Sequence, residues 1–211
     1  MRAVLALSAL LLCAAVANAE TVVDQWASIK APPPPELKPV TIDPASTALL
    51  LLDFNGAQDP AKGPCNSNNK PRCIASLPIV KMLLDSARAS KTLVIYSVGG
   101  SGEAADIATA IAPVDGEQVV KSGPNKFINT KLADMLKTKN IKTVIVTGTA
   151  AEGAVLATGE DAALHGMNVV VPVDGMSSTD IFAEQYVTWH FANAPGVAQK
   201  SKLTTAAQIK F

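Results

Sequence analysis

Asp53 closes the apolar run TALLLLD, and Lys121 closes the weaker run EQVVK. A carboxylate directly after four leucines must be paired or sit at a cleft, because an uncompensated buried charge is costly. Lys121 is the partner of opposite sign expected at the same edge. The two together could move protons and hold developing charge. A plainer reading stands beside this one, in which Asp53 caps a turn and Lys121 is solvated. A third stretch, TGTAAEGAVLATGEDAALHG from Thr147 to Gly166, has the form of a strand end, a small-residue turn and a helix start. In its first half only Glu152 can titrate.

Other chemistry is poorly supported. Gly148 and Gly153 have the spacing that opens a phosphate-binding P-loop, but Ala154-Val155 stands where Lys-Ser/Thr must follow. GGSGE (Gly99 to Glu103) lacks the second glycine position of a serine elbow. The two histidines, His165 and His190, have no second ligand at metal spacing, so neither a metal nor any other cofactor is expected.

The elements that must position these residues follow a repeating pattern. Continuous apolar runs at Thr47 to Asp53, Thr92 to Val98, Lys142 to Thr147 and Asn168 to Asp174 read as strands covered on both faces, with Glu117 to Lys121 as a weaker fifth. Segments with helical spacing lie between them: ASLPIVKMLLDSARAS, NTKLADMLKTKN and EGAVLATGEDAALHG, the last closed by Gly166. Alternation of strand and helix predicts a doubly wound α/β fold, with a mostly parallel sheet, helices on both faces and ligands beyond the carboxyl ends of the strands.

Composition bounds the function. The chain has 211 residues, 48% hydrophobic and 17% charged, which suits one domain with a sizeable core. Lys+Arg and Asp+Glu both number 18, so no basic surface points to nucleic acid, and a small-molecule ligand is the expected partner.

Met1-Arg2, an apolar core and Ala17-Asn18-Ala19 form a signal peptide over residues 1–19, which implies export to a periplasm or the medium and no membrane attachment after cleavage. The apolar run is shorter than the roughly 20 residues a membrane anchor needs. Residues 20–43, with Pro32 to Pro35 and Pro39, read as an extended lead, and residues 44–211 as the folded domain. In an oxidising compartment Cys65 and Cys73, in CNSNNKPRC, are expected to form a disulfide; a two-cysteine metal site would lack nearby histidines.

From about Thr47 to Thr205 the chain resembles the isochorismatase-like hydrolases, also called cysteine hydrolases. TALLLLDFN is similar to that family's opening strand with its catalytic aspartate, here Asp53. VVKSGPNKFINTKLADML is similar to the segment in which a catalytic lysine, matched to Lys121, precedes a triplet matched to Asn125-Lys126-Phe127. IKTVIVTGTAAEGAVLATGEDAALHGMNVVVPVDGMSS resembles the signature segment, and TDIFAEQYVTWH the helix after Asp174.

The resemblance implies a cleft lined by Asn55, Phe127, Thr149, Ala150 and Gly153, and it places Ala154 where most members carry the cysteine nucleophile. A methyl group cannot attack a carbonyl. The expectation is therefore a hydrolase lacking the thioester route, with Asp53 as acid or base and with Lys121 and the amides of Gly153 and Ala154 binding negative charge. The alternative is a catalytically silent binding or scaffold protein on the same fold. The family's habit of assembling through helices leaves a homo-oligomer open.

Overall fold

In a computed structural model of the chain, residues 20–56, 59 and 62–211 are described. The expected signal peptide lies outside them. The chain divides into a small unit ending at Pro33 and a main unit from Pro34 to Phe211. Within the small unit, α1 (Val22–Gln25) is a single turn capped by Thr21, whose amide and hydroxyl donate to Asp24 Oδ2 at 2.9 and 2.7 Å. The stretch expected to be extended thus holds one helical turn. Beyond Pro33, and so within the main unit, it holds β1 (Val40–Thr41), which pairs in parallel with β9 (Ile209–Lys210).

The main sheet comprises β2 (Thr47–Leu52), β3 (Leu93–Val98), β4 (Gln118–Lys121), β5 (Thr143–Thr149), β6 (Asn168–Pro172) and β8 (Ser201–Thr204). They run in the order β4-β3-β2-β5-β6-β8, all pairs parallel, with the short β7 (Met176–Ser177) pairing alongside the end of β5. The order follows from the crossovers. From β2 the chain moves outward to β3 and β4, then returns past β2 to start β5 and moves outward the other way. The reversal falls between β2 and β5, and a crevice opens at the carboxyl ends of the strands there.

Every residue of β2 is buried, because the strand is covered on both faces. Leu49 and Leu51 join the layer of α2 (Pro71–Ala89), which contributes Val80, Leu83, Leu84 and Ala87. Ala48, Leu50 and Leu52 join the opposite layer, built by α3 (Leu132–Thr138), α4 (Leu156–Leu164) and α5 (Ile181–Asn193). A run of four leucines therefore feeds two cores, since successive side chains of a strand point to opposite faces.

The edge strand β4 is only half-buried, which is why its apolar signal is weak. Gly148 is required by packing: its φ is +149°, and a Cβ there would lie 2.4 Å from the Leu52 carbonyl oxygen. The turn after β5 is itself helical, a wide turn over Ala151–Val155 that runs directly into α4, and the Thr149–Ala150 peptide is cis.

Candidate active site

Asp53 is the first residue beyond β2. Its φ of +58° lies in the left-handed region, which aspartate tolerates better than most residues and which is frequent at functional sites. The amide of Asp53 donates to Ser97 O at 3.1 Å, so the turn is tied to the end of β3. Its side chain is held from two sides. Ser97 Oγ donates to Oδ1 at 2.7 Å and Lys126 Nζ donates to Oδ2 at 2.7 Å.

Lys126 is fully buried, with a side-chain exposure of 0% against 9% for Asp53. Its ammonium also donates to the carbonyl of Gly123 at 2.7 Å, so the charge is both paired and solvated by backbone. Burial raises the Asp53 carboxyl above the usual carboxylate range, and the charge and hydrogen bond of Lys126 and the hydroxyl of Ser97 pull it partly back.

Asp53 lines a cavity of about 560 Å³ together with Asn55, Gly99, Thr149, Ala150 and Ala154. The Asn55 side chain braces its rim, accepting from Gly99 N at 3.2 Å. A Cβ at Gly99 would lie 2.9 Å from Asp53 Oδ2, so only glycine leaves the carboxylate room. The Asn55 carbonyl accepts from Cys65 N at 3.1 Å, and Cys65 is bonded to Cys73 as expected from their spacing. That disulfide joins the wall segment containing Gly63 and Pro64 to the first turn of α2.

Several expected site residues stand elsewhere. Lys121 was expected opposite Asp53, but its ammonium lies 2.5 Å from Glu103 Oε1, with side-chain exposures of 47% and 72%. β4 is the edge strand, with β3 between it and β2, so Lys121 ends a strand two places from that of Asp53 and pairs there with Glu103. The chain then loops back over the strand ends and delivers the lysine five residues later.

Phe127 was expected in the cleft, yet it packs in the apolar layer and stacks on His165 with ring centroids 5.8 Å apart. Gly153 does line the cavity, but its amide donates to Ala150 O at 3.1 Å and is not free to bind an anion. Glu152 is exposed and accepts from Ser178 Oγ at 2.6 Å. Asp174 is a structural cap, accepting from Ala206 N at 2.8 Å.

Lys126 is the residue of this site that sequence reasoning missed: it, and not Lys121, is the lysine paired with Asp53. It was in view as the centre of Asn125-Lys126-Phe127, but nothing local separates it from Lys121. Among the described residues no group of His, Cys, Asp and Glu is placed to hold a metal, and both described cysteines are in the disulfide.

A parallel sheet with helices on both faces, and with a carboxylate and a buried lysine at its switch point, defines a doubly wound α/β protein with a cavity at the strand ends. Residues 47–207 match the family model described as the isochorismatase domain, and the chain belongs to the isochorismatase family. It is 42% identical over 69 residues to an N-carbamoylsarcosine amidase from an Arthrobacter species; the match covers 32% of this chain and only about a quarter, 26%, of that relative.

Solved structures share the fold. An isochorismatase from Pseudomonas putida aligns with a TM-score of 0.68 at 19% identity, covering 81% of this chain and 93% of the other. A cysteine hydrolase from Pseudomonas syringae pv. phaseolicola aligns with a TM-score of 0.67 at 20% identity, covering 82% and 95%. A nicotinamidase from Bacillus subtilis aligns with a TM-score of 0.64 at 14% identity, covering 75% and 99%.

Proposed function

We propose that this protein is an exported hydrolase that acts on a small molecule through Asp53, without a covalent thioester. The observation that carries this reading is that Asp53 faces the cavity with a fully buried ammonium behind it, while residue 154, on the same cavity, is alanine. A carboxyl whose proton is held to higher pH by burial is suited to general acid work.

In its protonated form Asp53 gives its proton to the substrate. Water adds to the electron-poor centre so formed, and the proton that water sheds returns to the Asp53 carboxylate; the adduct then collapses to a carbonyl as its bond to the leaving group breaks, and the hydroxyl proton departs with that group. Lys126 does not line the cavity; it acts through Asp53, stabilising the anion left after proton transfer. The disulfide and the signal-like N-terminus support export, and no described helix is long and apolar enough to cross a membrane.

The test is hydrolysis of isochorismate, N-carbamoylsarcosine and nicotinamide by the purified protein and by Asp53→Asn, with circular dichroism to confirm folding. Turnover that survives the substitution would remove Asp53 from the mechanism. A second reading, a catalytically silent binding protein, is favoured by the turn itself, where Ala150, Ala151, Gly153 and Ala154 offer room but no reactive group. Binding of these compounds with no turnover at any pH would favour it.

A further inference from the structure

The loop that carries Lys126 is fastened to one face of α4 and its C-cap at four consecutive residues, Pro124 to Phe127. Asn125 Nδ2 donates to Asp161 Oδ2 at 2.7 Å. The amide of Lys126 donates to Thr158 Oγ1 at 3.2 Å, and that hydroxyl donates to the Pro124 carbonyl at 3.3 Å. The ring of Phe127 lies on His165, whose Nδ1 is 2.8 Å from Asp161 Oδ1. Thr158, Asp161 and His165 are three and four residues apart, so they form a single stripe along the helix. Asp161 is the centre of that stripe, with one carboxylate oxygen on the loop and the other on the histidine that stacks against it.

We infer that Asp161 is a positioning residue for the Asp53–Lys126 pair, fixing the buried ammonium against the carboxylate by holding the loop from α4. The geometry gives the reason. Lys126 reaches Asp53 from an irregular loop, and a flexible lysine side chain keeps one buried geometry only if its backbone is fixed. Here the backbone is fixed by the hydrogen bond from the Lys126 amide to Thr158 Oγ1 and by Asn125, whose own Oδ1 accepts from Phe127 N at 2.9 Å. The helix that does this grows out of the turn containing Ala154, so one element sets both the cavity wall and the ammonium behind Asp53. The inference concerns the pair and holds whatever reaction the cavity supports.

Lysine acetylation read by mass spectrometry tests it without requiring turnover. In the wild-type protein Lys126 is expected to be protected. Asp161→Ala should speed its acetylation by about tenfold or more, because labelling of a buried group tracks local opening. Hydrogen exchange in β2 and β5 should stay unchanged. Asp161→Asn, whose side-chain oxygen can still accept from Asn125, should restore protection. If Asp161→Ala does not fold, Asn125→Ala breaks the same bond from the loop side and decides the question. The inference is overturned if Lys126 stays protected in whichever of these alanine variants folds, or if Asp161→Asn exposes it as fully as the alanine variant does.

Discussion

The Lys126 ammonium stands 2.7 Å from Asp53 Oδ2 in a setting where the lysine has no solvent contact and the aspartate almost none. Removing either partner leaves the other charged and buried, at a cost of about 3–5 kcal/mol, whereas replacing both by apolar groups of similar shape is often nearly neutral. Chemical denaturation of Asp53→Leu, Lys126→Met and the double variant is expected to show two large single effects and a double effect well below their sum. Additive losses would mean that the two charges do not depend on each other.

Lys121 and Lys126 should behave as opposites. The Lys121–Glu103 pair is exposed, and such pairs contribute about 0–1 kcal/mol, so Lys121→Ala is expected to leave stability and any activity close to wild type. Lys126→Ala should abolish activity and lower the denaturation midpoint strongly. Melting curves and turnover measured side by side on the two variants check this.

The pH dependence follows from the direction of the Asp53 shift. Burial raises its carboxyl, so the proton needed for general acid work is retained below the raised value and lost as pH rises through it. The rate is therefore expected to fall on the alkaline side of a pKa above the usual carboxylate value of about 4. A pH–rate profile that falls instead as pH drops through that region would assign Asp53 the role of base.

Ala154 is nearly buried and borders the same cavity as Asp53. Ala154→Cys would set a thiol on the cavity that Asp53 lines, where the ionised carboxylate is a candidate to take its proton. Ammonia release from nicotinamide or N-carbamoylsarcosine is expected to appear in this variant, together with rapid alkylation of the new cysteine by iodoacetamide. A thiol that alkylates slowly and turns over no amide would show that the cavity lacks the rest of the apparatus.

The Cys65–Cys73 bridge closes a loop of sequence separation 8 beside the cavity wall. Loop-closure entropy for a ring of that size is about 2–3 kcal/mol, equivalent to a melting shift of about 5–10 °C. Calorimetry of a Cys65→Ser/Cys73→Ser variant should show that shift, and limited proteolysis should cut first between Gly56 and Cys73.

Much of this molecule could be read from local pattern. The continuous apolar runs marked buried parallel strands, the placement of Asp53 after Leu49 to Leu52 marked the sheet edge where the cavity lies, and Cys65 and Cys73 in CNSNNKPRC marked the disulfide. The helix boundaries moved where capping chemistry was overlooked: α2 begins at Pro71, a residue suited to a first helical turn, several positions before the segment expected from its apolar spacing.

Which lysine meets Asp53 was settled by tertiary structure. Lys121 and Lys126 are five residues apart and chemically identical, and local pattern cannot weigh one against the other. The decision came from β4 taking the edge of the sheet, two places from β2, where Lys121 pairs with Glu103, and from α4 and its C-cap offering Thr158, Asp161 and His165 to the returning loop. Strand order and loop docking are non-local. The sequence by itself determined the elements and the carboxylate at their ends, because neighbouring residues encode those; the partner of that carboxylate depended on how distant segments pack.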